Sequence, residues 1–223
     1  MLGEGLAESE ELAADGRQAA DGGTCLLSAT YFGPVQWYQK LNRHRCVIEQ
    51  HDHYMKQTYR NRCVIASANG PQTLTVPIVR YDTPKCAMRD IRISDHGEWR
   101  HLHWQALVSA YGETPFFEYY ADDLRPFFEK SYSWLLDLDL DIMHTVCGLL
   151  DVRPSVSLSE TYMQATNGQA DMRDAIRPKH PAADSEFTPR PYYQVRAARH
   201  GFLPNLSVLD LLFNEGPEGI FWL

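Results

Sequence analysis

Residues His51-Asp52-His53-Tyr54-Met55-Lys56-Gln57-Thr58-Tyr59-Arg60-Asn61-Arg62 crowd two imidazoles, an ammonium, two guanidiniums, amides and phenols into one short segment. No other stretch of the chain is as rich in directed donors. Arg60 and Arg62 have the planar fork that grips a carboxylate or phosphate bidentately, and Lys56 adds a point charge for a phosphate. Tyr54 and Asn61 can orient a ligand, and His53 can exchange a proton with it. The plainer alternative is a solvated loop or edge strand whose arginines pair with surface acids.

A second candidate is Trp99-Arg100-His101-Leu102-His103-Trp104. On a helix, His103 shares a face with Trp99 and Ala106, so it points inward among apolar groups. There it serves either as a general base or as a hydrogen-bonded core histidine. Tyr111, in a run of rings ending at Tyr120, is a candidate wall of a concave site, with core packing as the alternative.

Metal chemistry has weaker support. His51/His53 and His101/His103 are both HxH pairs, but on a helix positions i and i+2 diverge, and no HExxH or cysteine pair completes a shell. No metal is assigned. Asp137, Asp139 and Asp141 lack the glycine and terminal glutamate of a calcium loop, so they read as a solvated helix face with one or two charges turned toward a pocket. The common serine-hydrolase, nucleotide-triphosphatase and dinucleotide motifs are absent.

These residues sit in a chain of 223 residues, enough for one compact core. Residues 1–24 carry six acids against Arg17 alone and read as a disordered acidic tail. The rest, 25–223, reads as a single domain with 23 acids against 20 bases. Such a near-neutral body offers no field for polyanions, so no nucleic-acid partner is expected. No apolar run is long enough to span a membrane, and a cytoplasmic location is expected. Five widely spaced cysteines imply reduced, mostly buried thiols.

The patterning places a strand at Cys25-Leu26-Leu27, a turn at Tyr31–Pro34, a helix over Val35–Leu41 and a strand over Arg45–Glu49. Asn69-Gly70-Pro71 separates strands at Cys63–Ser67 and Thr73–Val79, and Ile91/Ile93 suggests another short strand. The period then becomes helical. One face is Trp99, Leu102, His103, Ala106 and Ala110, and a second helix starting at Pro115 is divided or kinked at Pro126. A third helix is expected from Tyr132 to Leu150 with Ser131 as cap. Residues 151–191 resist placement, with a loop or lid over His180–Pro191. Tyr192–Val195 is a candidate strand, and Ser207/Asp210 form a capping-box pattern before a helix stopped by Gly216-Pro217. The result is an α+β fold, a small strand-rich N-terminal half packed on a helical C-terminal half.

Several segments together resemble the WbqC-like protein family: Tyr31-Phe32-Gly33-Pro34, Glu49 through Cys63, Trp99 with His103-Trp104, Ser109-Ala110-Tyr111, Pro115 through Tyr120, and Gly201 through Glu218. Some members are encoded beside genes for O-antigen assembly, where a glycine-transferase role has been suggested. The resemblance therefore implies transfer of an acyl or aminoacyl group, such as glycyl, onto a nucleotide-linked or lipid-linked sugar in surface-polysaccharide biosynthesis. The catalytic residues would then be His103 or His53, with Tyr54 and Asn61 as orienting donors and Lys56, Arg60 and Arg62 on the anion. A non-catalytic protein recognising a phosphorylated sugar precursor through the same cleft is the alternative. The expected partners are that small-molecule sugar substrate, an acyl or aminoacyl donor and a second copy of the chain. No cofactor is assigned.

Overall fold

The computed structural model describes residues 23–81 and 85–223. The tail expected over residues 1–24 therefore lies outside the described residues as far as 22. Thr24 already belongs to the fold, since its carbonyl accepts from Ala170 N at 3.0 Å.

In chain order the first elements are β1 (Cys25–Ser28), α1 (Val35–Arg43), β2 (Cys46–Glu49), β3 (Arg62–Ser67) and β4 (Gly70–Thr75). There follow α2 (Trp99–Tyr111), α3 (Phe117–Leu124), α4 (Pro126–Glu129) and α5 (Leu135–Leu149). The chain then forms β5 (Val156–Leu158), β6 (Ala170–Asp171), α6 (Ala197–His200) and α7 (Val208–Glu215). The mixed α+β expectation holds, with β1 to β4 in the N-terminal region and the main helices after residue 98.

β1 and β2 are the centre of a parallel sheet in the order β5-β2-β1-β6. They read as unbroken apolar runs because a central parallel strand is covered on both faces, and every residue of β1 is buried. The two edge strands come from the Pro-interrupted region 151–191 that the pattern left unplaced. They are short and largely exposed, which suits edges.

The hairpin of β3 and β4 turns at Ala68-Asn69, with Ser67 opposite Gly70. The second strand thus starts at Gly70, three residues earlier than the pattern suggests, and ends at Thr75. Gly70 has φ +104°, which only glycine adopts without strain. Instead of a strand at Ile91/Ile93, isolated bridges join Ile78 to Ile93 and Arg92 to Trp134. Those bridges hold residues 133 and 134 extended, so α5 begins at Leu135 and Ser131 caps nothing.

On α2 the inward face is Trp99, His103, Leu107, Ala110 and Tyr111, while Leu102 is exposed. The helical break at Pro126 is as the pattern gives it. Tyr192–Val195 is not a strand. Its polar groups bond instead to α7, with Tyr192 and Gln194 donating to Asp210 at 2.7 and 2.8 Å. That claim on Asp210 also opens the expected capping box. Ser207 Oγ accepts from Leu209 N, but Ser207 N donates to Val64 O rather than to Asp210. After Gly216 the chain continues as a 3-10 turn, Gly216–Trp222.

Candidate functional site

The carboxyl ends of the parallel strands face one way, and open parallel sheets hold their ligands at that edge. Glu49, the last residue of β2, is completely buried there. Its carboxylate accepts from His51 N at 2.7 Å, from Ser159 Oγ at 2.7 Å and from Met163 N at 2.6 Å. The Arg173 guanidinium lies 3.9 Å away, and Ser28 Oγ donates to Arg173 O. One buried carboxylate thus pins the segments that follow β2, β5 and β6 to the end of β1. Nothing in the sequence marks Glu49 except that it is the charge terminating an apolar strand.

From this clamp the chain enters the polar segment. Gln57 has φ +63°, so the loop reverses there and returns toward its own start. The reversal delivers Arg60 to Asp52, with Nη2 to Oδ2 at 2.8 Å, and to Asp174 at 3.5 Å. Arg60 is buried, and its charge is met inside the protein. The guanidinium that the sequence offered to an incoming anion therefore serves first to hold the loop. Arg62, at the start of β3, has no ion pair among the described residues, and its Nε, like that of Arg60, is buried without a partner.

Tyr54 lies within electrostatic reach of both guanidiniums. Burial pushes its phenol up to about 12 against the opposing pull of Arg62, so the hydroxyl is a proton donor at neutral pH. Tyr81 meets Tyr54 edge-on at 6.1 Å between ring centroids, and the exposed Lys56 ammonium lies 5.9 Å above the Tyr81 ring. Asp139 of α5 is near enough to act on Tyr54, Tyr31 and Tyr38. Its carboxyl is buried with neither oxygen hydrogen-bonded, and burial raises its pKa well above the ordinary range. Asp137 and Asp141 face solvent, so one carboxyl of the acidic array turns inward.

The other sequence candidates lie apart. His103 Nδ1 is 2.9 Å from the Tyr31 hydroxyl, and its ring faces the Thr75 carbonyl. The Tyr31 contact already occupies one of the two ring nitrogens of the imidazole. Burial holds it at about 4. It adjoins the polar segment through Tyr31 N, which donates to Tyr59 O, and through Thr75, which is opposite Arg62. No open cleft lies between them, because His103 is only 5% exposed.

Asn61 ties the hairpin instead, its Nδ2 donating to Val76 O at 2.8 Å. The Tyr111 hydroxyl accepts from Ala66 N and faces Asp210, a separate buried network. His53 is exposed and its backbone is bridged to Ala87, whereas His51 Nε2 is buried without a partner. The structure thus gathers Tyr54, Lys56, Arg60 and Arg62, adds Glu49, Asp52, Tyr81 and Asp139, and leaves His103, Asn61 and Tyr111 as supports.

Among the described residues no group of three His, Cys, Asp or Glu side chains is placed to hold a metal, and no helix is long and apolar enough to cross a membrane. A family profile described as WbqC-like protein family matches residues 29–180. An uncharacterized protein of Mycobacterium tuberculosis is 26% identical over 191 residues, which cover 74% of this chain and 81% of that protein. No solved structure matches.

Proposed function

This chain belongs to the WbqC-like protein family, and on that premise we propose that it transfers an acyl or aminoacyl group, such as glycyl, onto a phosphate-linked sugar of surface-polysaccharide biosynthesis. The observation that supports this reading is the contrast between two neighbouring guanidiniums. Arg60 is neutralised by Asp52 and Asp174, while Arg62, close enough to Tyr54 to act on its phenol, meets no carboxylate among the described residues. A paired arginine builds a site, and an unpaired one beside it is left for a ligand.

In this reading Arg62 and Lys56 hold the phosphate or pyrophosphate of the sugar carrier, and Tyr54 and Tyr81 flank it. The exposed His53 accepts the proton of the attacking amine or hydroxyl as the new bond to the acyl carbon forms. The Tyr54 phenol donates to the oxygen on which charge develops, and as that oxygen re-forms the carbonyl the bond from the acyl carbon to the donor's leaving group breaks and His53 returns the proton to the departing group. His103 is a positioning residue that holds Tyr31 under the loop.

Non-catalytic recognition of a phosphorylated sugar precursor is the second reading, and the sequestration of His103 favours it. Incubation with UDP-N-acetylglucosamine and a glycyl thioester, read by mass spectrometry, separates the two. The transferase reading expects a glycylated sugar nucleotide, and its loss in His53→Asn with binding retained. Tight binding of the nucleotide sugar without any product supports recognition alone.

A further inference from the structure

At the opposite, amino-terminal end of the central strands, Cys25 of β1 is in direct register with Cys46 of β2. Registered neighbours on parallel strands sit about 4.8 Å apart and point to the same face. That spacing lies within the Cα range a disulfide spans.

The thiols already interact. The Cys46 thiol donates to Lys40 O at 3.4 Å, with His44 O at 3.6 Å. The adjoining Cys46 side chain, and less strongly the Lys40 ammonium, lower the Cys25 pKa against its burial, while Cys25 and burial raise that of Cys46. Cys63 and Cys147 are buried thiols whose pKa values burial raises, that of Cys147 to about 12, and Cys86 is half-buried and also raised. The register thus pairs Cys25, the thiol of the two whose ionisation is the more favoured, with a neighbouring sulfur placed to resolve it.

We propose that Cys25 and Cys46 form a reversible disulfide on exposure to hydrogen peroxide. The Cys25 thiolate attacks one peroxide oxygen, the O–O bond breaks, and the departing hydroxide takes a proton and leaves as water. Cys46 sulfur then attacks the sulfenic acid. The S–S bond forms, the S–O bond breaks, and the second water carries away the Cys46 proton. Two electrons pass from the thiols to the peroxide.

Cys25 and Cys46 are 1% and 0% exposed, so the oxidant has to be nearly as small as water. Flat parallel neighbours hold their Cβ atoms farther apart than a relaxed disulfide does, so the bond is strained and readily reduced. It joins the two ends of the stretch that carries α1 and the Tyr31–Pro34 turn, whose Tyr31 N donates to Tyr59 O of the polar segment.

The test treats the folded full chain with hydrogen peroxide, alkylates the remaining thiols after unfolding, and maps tryptic peptides without reductant. The expected result is a loss of about 2 Da with peptide 18–40 linked to peptide 46–56, both reversed by dithiothreitol. In Cys46→Ser, unfolding the peroxide-treated protein in the presence of dimedone should trap a sulfenic acid on Cys25. Full alkylation of all thiols after peroxide, a Cys46–Cys147 link, or sulfinic acid on Cys25 in the wild type overturns the proposal. The wild-type peptide map decides the question even where the variant does not fold.

Discussion

The Tyr31 hydroxyl lies 2.9 Å from His103 Nδ1, in a core where the imidazole has a pKa of about 4. Since the ordinary value is 6.5, the unfolded chain binds more protons than the folded one between those two pH values. The stabilisation is complete above pH 6.5 and is lost as the pH falls through 4, an effect on the order of 3 kcal/mol. His103→Gln should flatten the acid limb of stability measured by urea unfolding between pH 7 and 4.5. An unchanged acid limb would show that His103 titrates normally.

Asp139 should cost the fold stability. A buried carboxyl with neither oxygen bonded is an unpaid desolvation, so Asp139→Leu is expected to stabilise by about 1–3 kcal/mol at pH 7. Burial raises the pKa of Asp139, so the folded state favours the proton and the wild type loses stability as pH rises above the carboxylate range. The leucine variant should lack that decline. Urea unfolding from pH 4 to 8 checks both, and a less stable leucine variant would mean that the carboxyl has a partner.

Glu49 is expected to behave in the opposite way. Its carboxylate takes three hydrogen bonds in the sheet edge, and an amide in its place turns one accepting oxygen into a donor. Glu49→Gln should lose about 3 kcal/mol and speed hydrogen exchange at His51 and Met163. Normal exchange at both amides would show that the clamp is not what orders the segment.

Lys40 is buried against Asp184 and Glu186, both at 2.9 Å, and so ties the 180–191 segment to α1. Lys40→Met leaves Asp184 without its cation but still hydrogen-bonded to Gln36 and to Glu186 N, and should cost about 1–3 kcal/mol. Adding Asp184→Leu should restore most of that loss. A double variant no more stable than Lys40→Met would break the proposed coupling.

The elements that depend on neighbours in sequence were legible. Cys25-Leu26-Leu27, Val35–Leu41, the break at Pro126 and the inward phase of Trp99 and His103 all follow from local pattern. What escaped depends on distant partners. Two-residue β6 has no periodicity to detect, and β5 becomes a strand only because β2 lies beside it. The site was legible as a composition, Tyr54 through Arg62, but not as a division of labour. Arg60 and Arg62 look equivalent in the sequence, and only the reversal at Gln57 decides which of them meets Asp52. For His103 the pattern gave the inward direction, but not that Tyr31 and Thr75 wait there in place of a cleft.

Calorimetric titration of UDP-N-acetylglucosamine into the wild type and Arg62→Gln bears most directly on the assignment of the unpaired guanidinium. The account predicts a loss of about 1.5–3 kcal/mol, roughly 10- to 150-fold in Kd, with the thermal midpoint nearly unchanged. Equal affinity in the two proteins would contradict it and leave the cluster around Tyr54 without an anion site.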